Sequence, residues 1–119
     1  MSAIGEANVR RLSRANESVT VILSQGTKAV ASAGTPEPLV GTPTYVSSLE
    51  IHARKNPTTA NTDNIYVGFA SGAGNQKRVL APGESFPITA PPGKKIDLAG
   101  IYIDAATSDD AVTWSALSV

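Results

Sequence analysis

Cysteine is absent from this chain of 119 residues. That excludes disulfides, thiolate metal sites and a cysteine nucleophile, and it leaves the compartment open, since cysteine-free proteins occur both inside and outside cells. Histidine occurs once, at His52, so any Ser-His-Asp arrangement has to pass through it, and no G-x-S-x-G pattern accompanies it. With one histidine and no cysteine, a zinc site of the ordinary type cannot be assembled. Tyr66, Phe69 and Tyr102 are not interleaved with basic residues, as a sheet that stacks nucleic-acid bases would require. Ten basic residues balance ten acidic ones, so no net field draws the molecule to nucleic acid or to an anionic membrane. No apolar run approaches the roughly 18 residues that a membrane-spanning helix needs. The opening MSAIGEANVRRLSR places charge where a secretory signal needs an apolar stretch, so a soluble protein used without signal-peptide export is expected.

What the chain does have, after its first 18 residues, is Val, Ile, Thr, Ser, Gly and Pro, the composition of strands joined by tight turns. The run VTVIL puts Val19, Val21 and Leu23 on one face and Thr20, Ile22 and Ser24 on the other, which turns Ile22 outward as a harmless apolar group or a subunit contact. Gln25-Gly26-Thr27 reads as a hairpin turn into a short strand over 28–32. Prolines make residues 34–43 a crossing loop or sheet edge. Tyr45, Ser47, Leu49 and Ile51 alternate with Val46, Ser48, Glu50 and His52, the second set being mainly the wet face. Residues 54–63 are a polar loop, Ile65, Val67 and Phe69 form an inward row, and Pro82-Gly83 and Pro92-Gly93 suit type II turns. A strand over 96–104, a turn at 108–110 and a last strand over 112–117, with Val112, Trp114 and Ala116 on one face, complete the reading. The segments NIYV and GIYI start 36 residues apart and read as two equivalent strands. The fold expected is an antiparallel β-sandwich or jelly-roll-like barrel of about eight strands over 18–119, with an N-terminal arm over 1–17.

The stretch NTDNIYVGFASGAG, residues 61–74, raises the question of a phosphate loop. It lacks the G-x-x-x-x-G-K-[ST] spacing and no helix follows, so a strand between two turns is the better reading, with Lys77 and Arg78 at a solvated hairpin end. Asp63 with Asn61 and Asn64, and Asp109 with Asp110, lack the spacing of a calcium loop and read as turn formers. In the arm, Ile4, Val9 and Leu12 are loosely spaced as for a helical stripe beside Arg10, Arg11 and Arg14. Two readings stand there: a frayed, solvated terminus, or an arm that orders only against a neighbouring subunit, its arginines pairing carboxylates.

From Asn61 to Leu117 the order is an asparagine-rich turn, IYVG, a glycine loop, LAPGESFPI, a strand carrying IYIDA and a final AVTWSAL. This order resembles the small β-sandwich virion proteins of tailed bacteriophages, in which an asparagine turn before I-Y-V-G and an L-x-P-G-E-S turn recur. The resemblance implies a non-enzymatic capsid decoration or cement protein without a cofactor. It would be made in the host cytoplasm and bound to the major capsid protein on the outside of the head, often as a homotrimer. Arg10, Arg11, Leu12, Arg14 and Ile22 are then the expected capsid or inter-subunit contacts. The alternative is a phage fibre, tail or head-tail module, with carbohydrate binding as one variant. Neither nucleic acid nor membrane is expected as a partner.

Overall fold

The computed structural model describes residues 21–55 and 60–118. The arm with Arg10, Arg11, Leu12 and Arg14 lies outside the described residues. Ten strands run in chain order: β1 Ile22–Ala29, β2 Glu37–Pro38, β3 Tyr45–Val46, β4 Ser48–Ala53, β5 Ile65–Gly68, β6 Arg78–Leu80, β7 Ser85–Thr89, β8 Ile96–Asp97, β9 Tyr102–Ala105 and β10 Ala111–Ser118. A 3-10 turn over Leu98–Gly100 is the one helical element among the described residues.

Every strand pair is antiparallel. One four-stranded sheet has the order β1-β10-β4-β7, a second has β2-β9-β5-β6, and β3 and β8 form a small pair of their own. With that small pair set aside, the first strand pairs the last, the second the next to last, and so on inward to β5 and β6. The chain is one long hairpin rolled on itself, a jelly roll, and the expected sandwich is the observed fold. The innermost pair, β5 and β6, is joined by the glycine stretch that opened the phosphate-loop question. Gly72 at φ 95° and Gly74 at φ 84° are the turn glycines there. At Gly68 a Cβ would sit 2.6 Å from both the Asn75 carbonyl oxygen and the Gln76 Cα, so the loop folds tightly back over the strand end.

The core lies between the sheets. Leu49, Ile51, Ala53, Val112 and Ala116 face Ile65, Val67, Leu80, Ile103 and Ala105, and Val30, Leu39, Val46, Leu98 and Ile101 join from the strand ends and connections. Fully burying each large aliphatic side chain contributes about 1.5–3 kcal/mol.

Several local expectations hold. Gly83 at φ 92° and Gly93 at φ 77° occupy the Pro-Gly turns, closed by Glu84 N–H to the Ala81 carbonyl at 2.9 Å and Lys94 N–H to the Pro91 carbonyl at 3.0 Å. β2 is a sheet edge. The two IYV/IYI segments feed β5 and β9, which are hydrogen-bonded neighbours.

Others are corrected. No turn interrupts β1 at Gly26, because that glycine lies under the Trp114 indole: a Cβ there would sit 2.9 Å from three indole atoms. A strand glycine here marks close approach rather than reversal. The faces of β1 are also the reverse of the expected ones. Ser24, Gly26 and Lys28 lie opposite Ala116, Trp114 and Val112 and so face inward, while Leu23 is 77% exposed. Ile22 shares the inward side by register but lies beyond the core and is 61% exposed. The strand expected over 45–52 breaks at Ser47, whose N–H donates to the Leu117 carbonyl and whose carbonyl accepts from Ala90 N–H, both at 2.8 Å. The break reverses the alternation, so Val46 is buried and Tyr45 exposed. Phe69 is exposed because β5 ends at Gly68. The strand expected over 96–104 is split by the 3-10 turn, where the Asp97 carboxylate accepts from Ala99 N–H and Thr44 N–H, each at 3.0 Å.

Candidate binding face

The carboxylates that could serve chemistry are largely committed to backbone. Asp110 accepts from Thr62 N–H at 2.9 Å and Asp63 N–H at 2.8 Å. Asp104 accepts from Gly34 N–H and Ala105 N–H, Glu84 from Ala81 N–H, and Asp63 from Asn64 N–H. Buried Asn61 acts as an extra rung on β10: its amide donates to the Ala111 carbonyl at 2.7 Å and accepts from Ala111 N–H at 2.8 Å. Asn61 and Asp110 thus tie the 61–63 loop to the start of β10 across the sequence, where local turns were expected, and of the side-chain bonds made by Asn61, Asp63 and Asp110 only that of Asp63 to Asn64 N–H is local. Among the described residues, no group of three or more His, Asp or Glu is placed to hold a metal ion.

Glu37 closes one side of the sandwich. Its carboxylate accepts from Ala31 N–H at 2.9 Å and from the Lys28 ammonium at 3.0 Å. These two bonds, the backbone one foremost, hold its carboxyl below the usual glutamate range.

The surface available for a partner is the outer face of the β1-β10-β4-β7 sheet. Alternation along each strand turns Gln25 and Thr27, Thr113 and Ser115, Glu50 and His52, and Ser85 and Thr89 away from the core. The His52 ring is half-buried, and its Nδ1 lies 3.0 Å from the Ser85 hydroxyl directly across β7. Two hollows lie along this face. One of about 490 Å³ is lined by Gln25, Gly26, Thr27, His52, Thr113, Trp114 and Ser115. The other, about 320 Å³, includes Leu23, Pro87 and Leu117 and shares Ser115 with the first. Together they make a shallow trough, hydrogen-bonding at one end and apolar at the other. Such a surface suits broad contact with a neutral partner rather than capture of a small anion.

Of the expected contact residues, Ile22 is exposed at the start of β1, near this apolar end. The structure brings Leu23 and Leu117 directly opposite one another there, at 77% and 36% exposure. Sequence reading had placed Leu23 in the core. The available signal was Gly26, whose missing side chain makes room for Trp114 and sets which face of β1 looks inward. Arg78, expected at a solvated hairpin end, lies 4.9 Å from the Phe86 ring centroid. No family model, curated protein or solved structure matches the chain.

Proposed function

We propose that this chain is a structural virion protein of a tailed bacteriophage, a decoration or cement protein that binds the outside of the head and bridges neighbouring capsid subunits. The observation that carries the reading is the outer face of the β1-β10-β4-β7 sheet: a shallow, mostly neutral trough with exposed Leu23 and Leu117 at one end. An apolar patch rimmed by hydrogen-bonding groups fits contact with another protein. The motif order from Asn61 to Leu117 points the same way. The jelly roll is compatible with it, since that architecture serves viral capsids and lectins alike and assigns neither by itself. Many copies, each held weakly, would stabilise the head through mass action and multivalency. Arg10, Arg11, Leu12, Arg14 and Ile22 remain the proposed arm-side contacts to the major capsid protein or to a neighbouring copy.

The test is to mix purified protein with heads that lack it. Saturable binding and a raised head melting temperature are expected, and absence of binding sinks the reading. A second reading, a carbohydrate-recognising fibre or tail module, is favoured by the hydrogen-bonding side chains of Gln25, His52 and Thr113 that line the larger hollow. Competable hits on a glycan array, with no head binding, would select it.

A further inference from the structure

Among the described residues, the two sheets have four open edges: β1 and β7 in one, β2 and β6 in the other. Three of these are poor templates for another strand. β2 is two residues long and ends in Pro38, β6 has three residues, and β7 carries Pro87 at its centre. Short length and proline are devices that stop an edge from pairing. β1 differs, with eight residues, no proline and a single charged side chain, Lys28, already tied to Glu37.

The direction of its free backbone groups follows from one bond. Val30 N–H donates to the Asp110 carbonyl at 2.9 Å, and the register continues from there by alternation. Even-numbered residues of β1 therefore bond with β10, and the N–H and C=O groups of Leu23, Gln25, Thr27 and Ala29 point to the open side. No strand among the described residues pairs with them.

We propose that β1 pairs antiparallel with β1 of a second copy of this chain, about a two-fold axis at Leu23, joining two four-stranded sheets into one. At that axis Leu23, at 77% the most exposed large apolar side chain described, meets its own copy with Leu117 beside it. The register sets outward-pointing groups against outward-pointing groups, Gln25 opposite Val21 of the partner subunit. The contact is isologous and closes as a dimer, in place of the trimer that the family resemblance implies. It does not depend on head binding, though it would lay two troughs side by side.

Sedimentation velocity over a concentration series tests it. The expected species is a dimer of twice the 12.2 kDa chain mass, dissociating on dilution. Gln25→Pro removes an outward N–H while sparing the bonds to β10, and should weaken dimerisation at least about tenfold with an unchanged circular dichroism spectrum. Leu23→Lys sets two like charges together on the axis and should also give monomers, from a position too exposed to disturb the fold. A wild type that is monomeric or trimeric overturns the proposal, as do both variants dimerising with wild-type affinity. Head binding is read separately, so its failure leaves this result standing.

Discussion

On the side of the sandwich where β1 meets β2, Lys28 and Glu37 span the gap with an ion pair at 3.0 Å, whereas on the opposite side, where β6 meets β7, the Arg78 guanidinium lies over the Phe86 ring at 4.9 Å. Each side also holds a glycine against which something is packed: Gly26 under the Trp114 indole, and Gly68 under the backbone of Asn75 and Gln76. The first side is closed by side chains with room to adjust and a bond that titrates. The second is closed by backbone, together with a cation held over an aromatic ring. A rolled hairpin must seal both of its long sides, and this one does so by different chemistry at each.

The largest test of that contrast is Gly68→Ala. Its Cβ would meet backbone atoms at 2.6 Å, so the loop must move, and a loss of about 3 kcal/mol, the upper end of ordinary overpacking, is expected in urea melts. Gly26→Ala meets only the indole, at 2.9 Å, and a loss of about 1–2 kcal/mol is expected. The same variant should alter Trp114 fluorescence, while Gly68→Ala leaves it unchanged. Equal losses for the two alanines would erase the distinction between the sides.

Glu37→Gln comes next, at about 1 kcal/mol near neutral pH. Because the folded carboxyl titrates below its unfolded value, the contribution is fully present above the ordinary glutamate range and is lost as pH falls through the folded value. Wild type and Glu37→Gln should therefore converge in stability under acid, and a gap that persists there contradicts the assignment. Arg78→Ala has the smallest expected effect, about 0.5–1 kcal/mol for an exposed cation over a ring, read in the same urea melts.

The legible parts of the fold were those governed by backbone chemistry within a few residues. Pro82-Gly83 and Pro92-Gly93 were identified because proline presets one turn angle and glycine accepts the next, and both glycines have positive φ. The inward rows of β4 and β10 were legible because Leu49, Ile51, Val112 and Ala116 alternate without interruption. Alternation failed wherever a break depended on partners distant in sequence. Ser47 is bonded between Leu117 and Ala90, and the reversal of faces there leaves no mark on the run TYVSSLE. Gly26 was read as a turn because its actual neighbour, Trp114, comes from the other end of the chain. The trough was illegible for the same reason, since Gln25, His52 and Thr113 meet only through register. The short, proline-marked edges beside the bare edge of β1 were likewise invisible until the strand order was known.

The proposed role is tested most directly by imaging the virion at side-chain resolution. The account predicts this chain on the outer surface of the head, with the outer face of the β1-β10-β4-β7 sheet against capsid subunits and Ser115 within the contact. Its absence from the head, or attachment through the β2-β9-β5-β6 sheet with the trough open to solvent, would contradict the account.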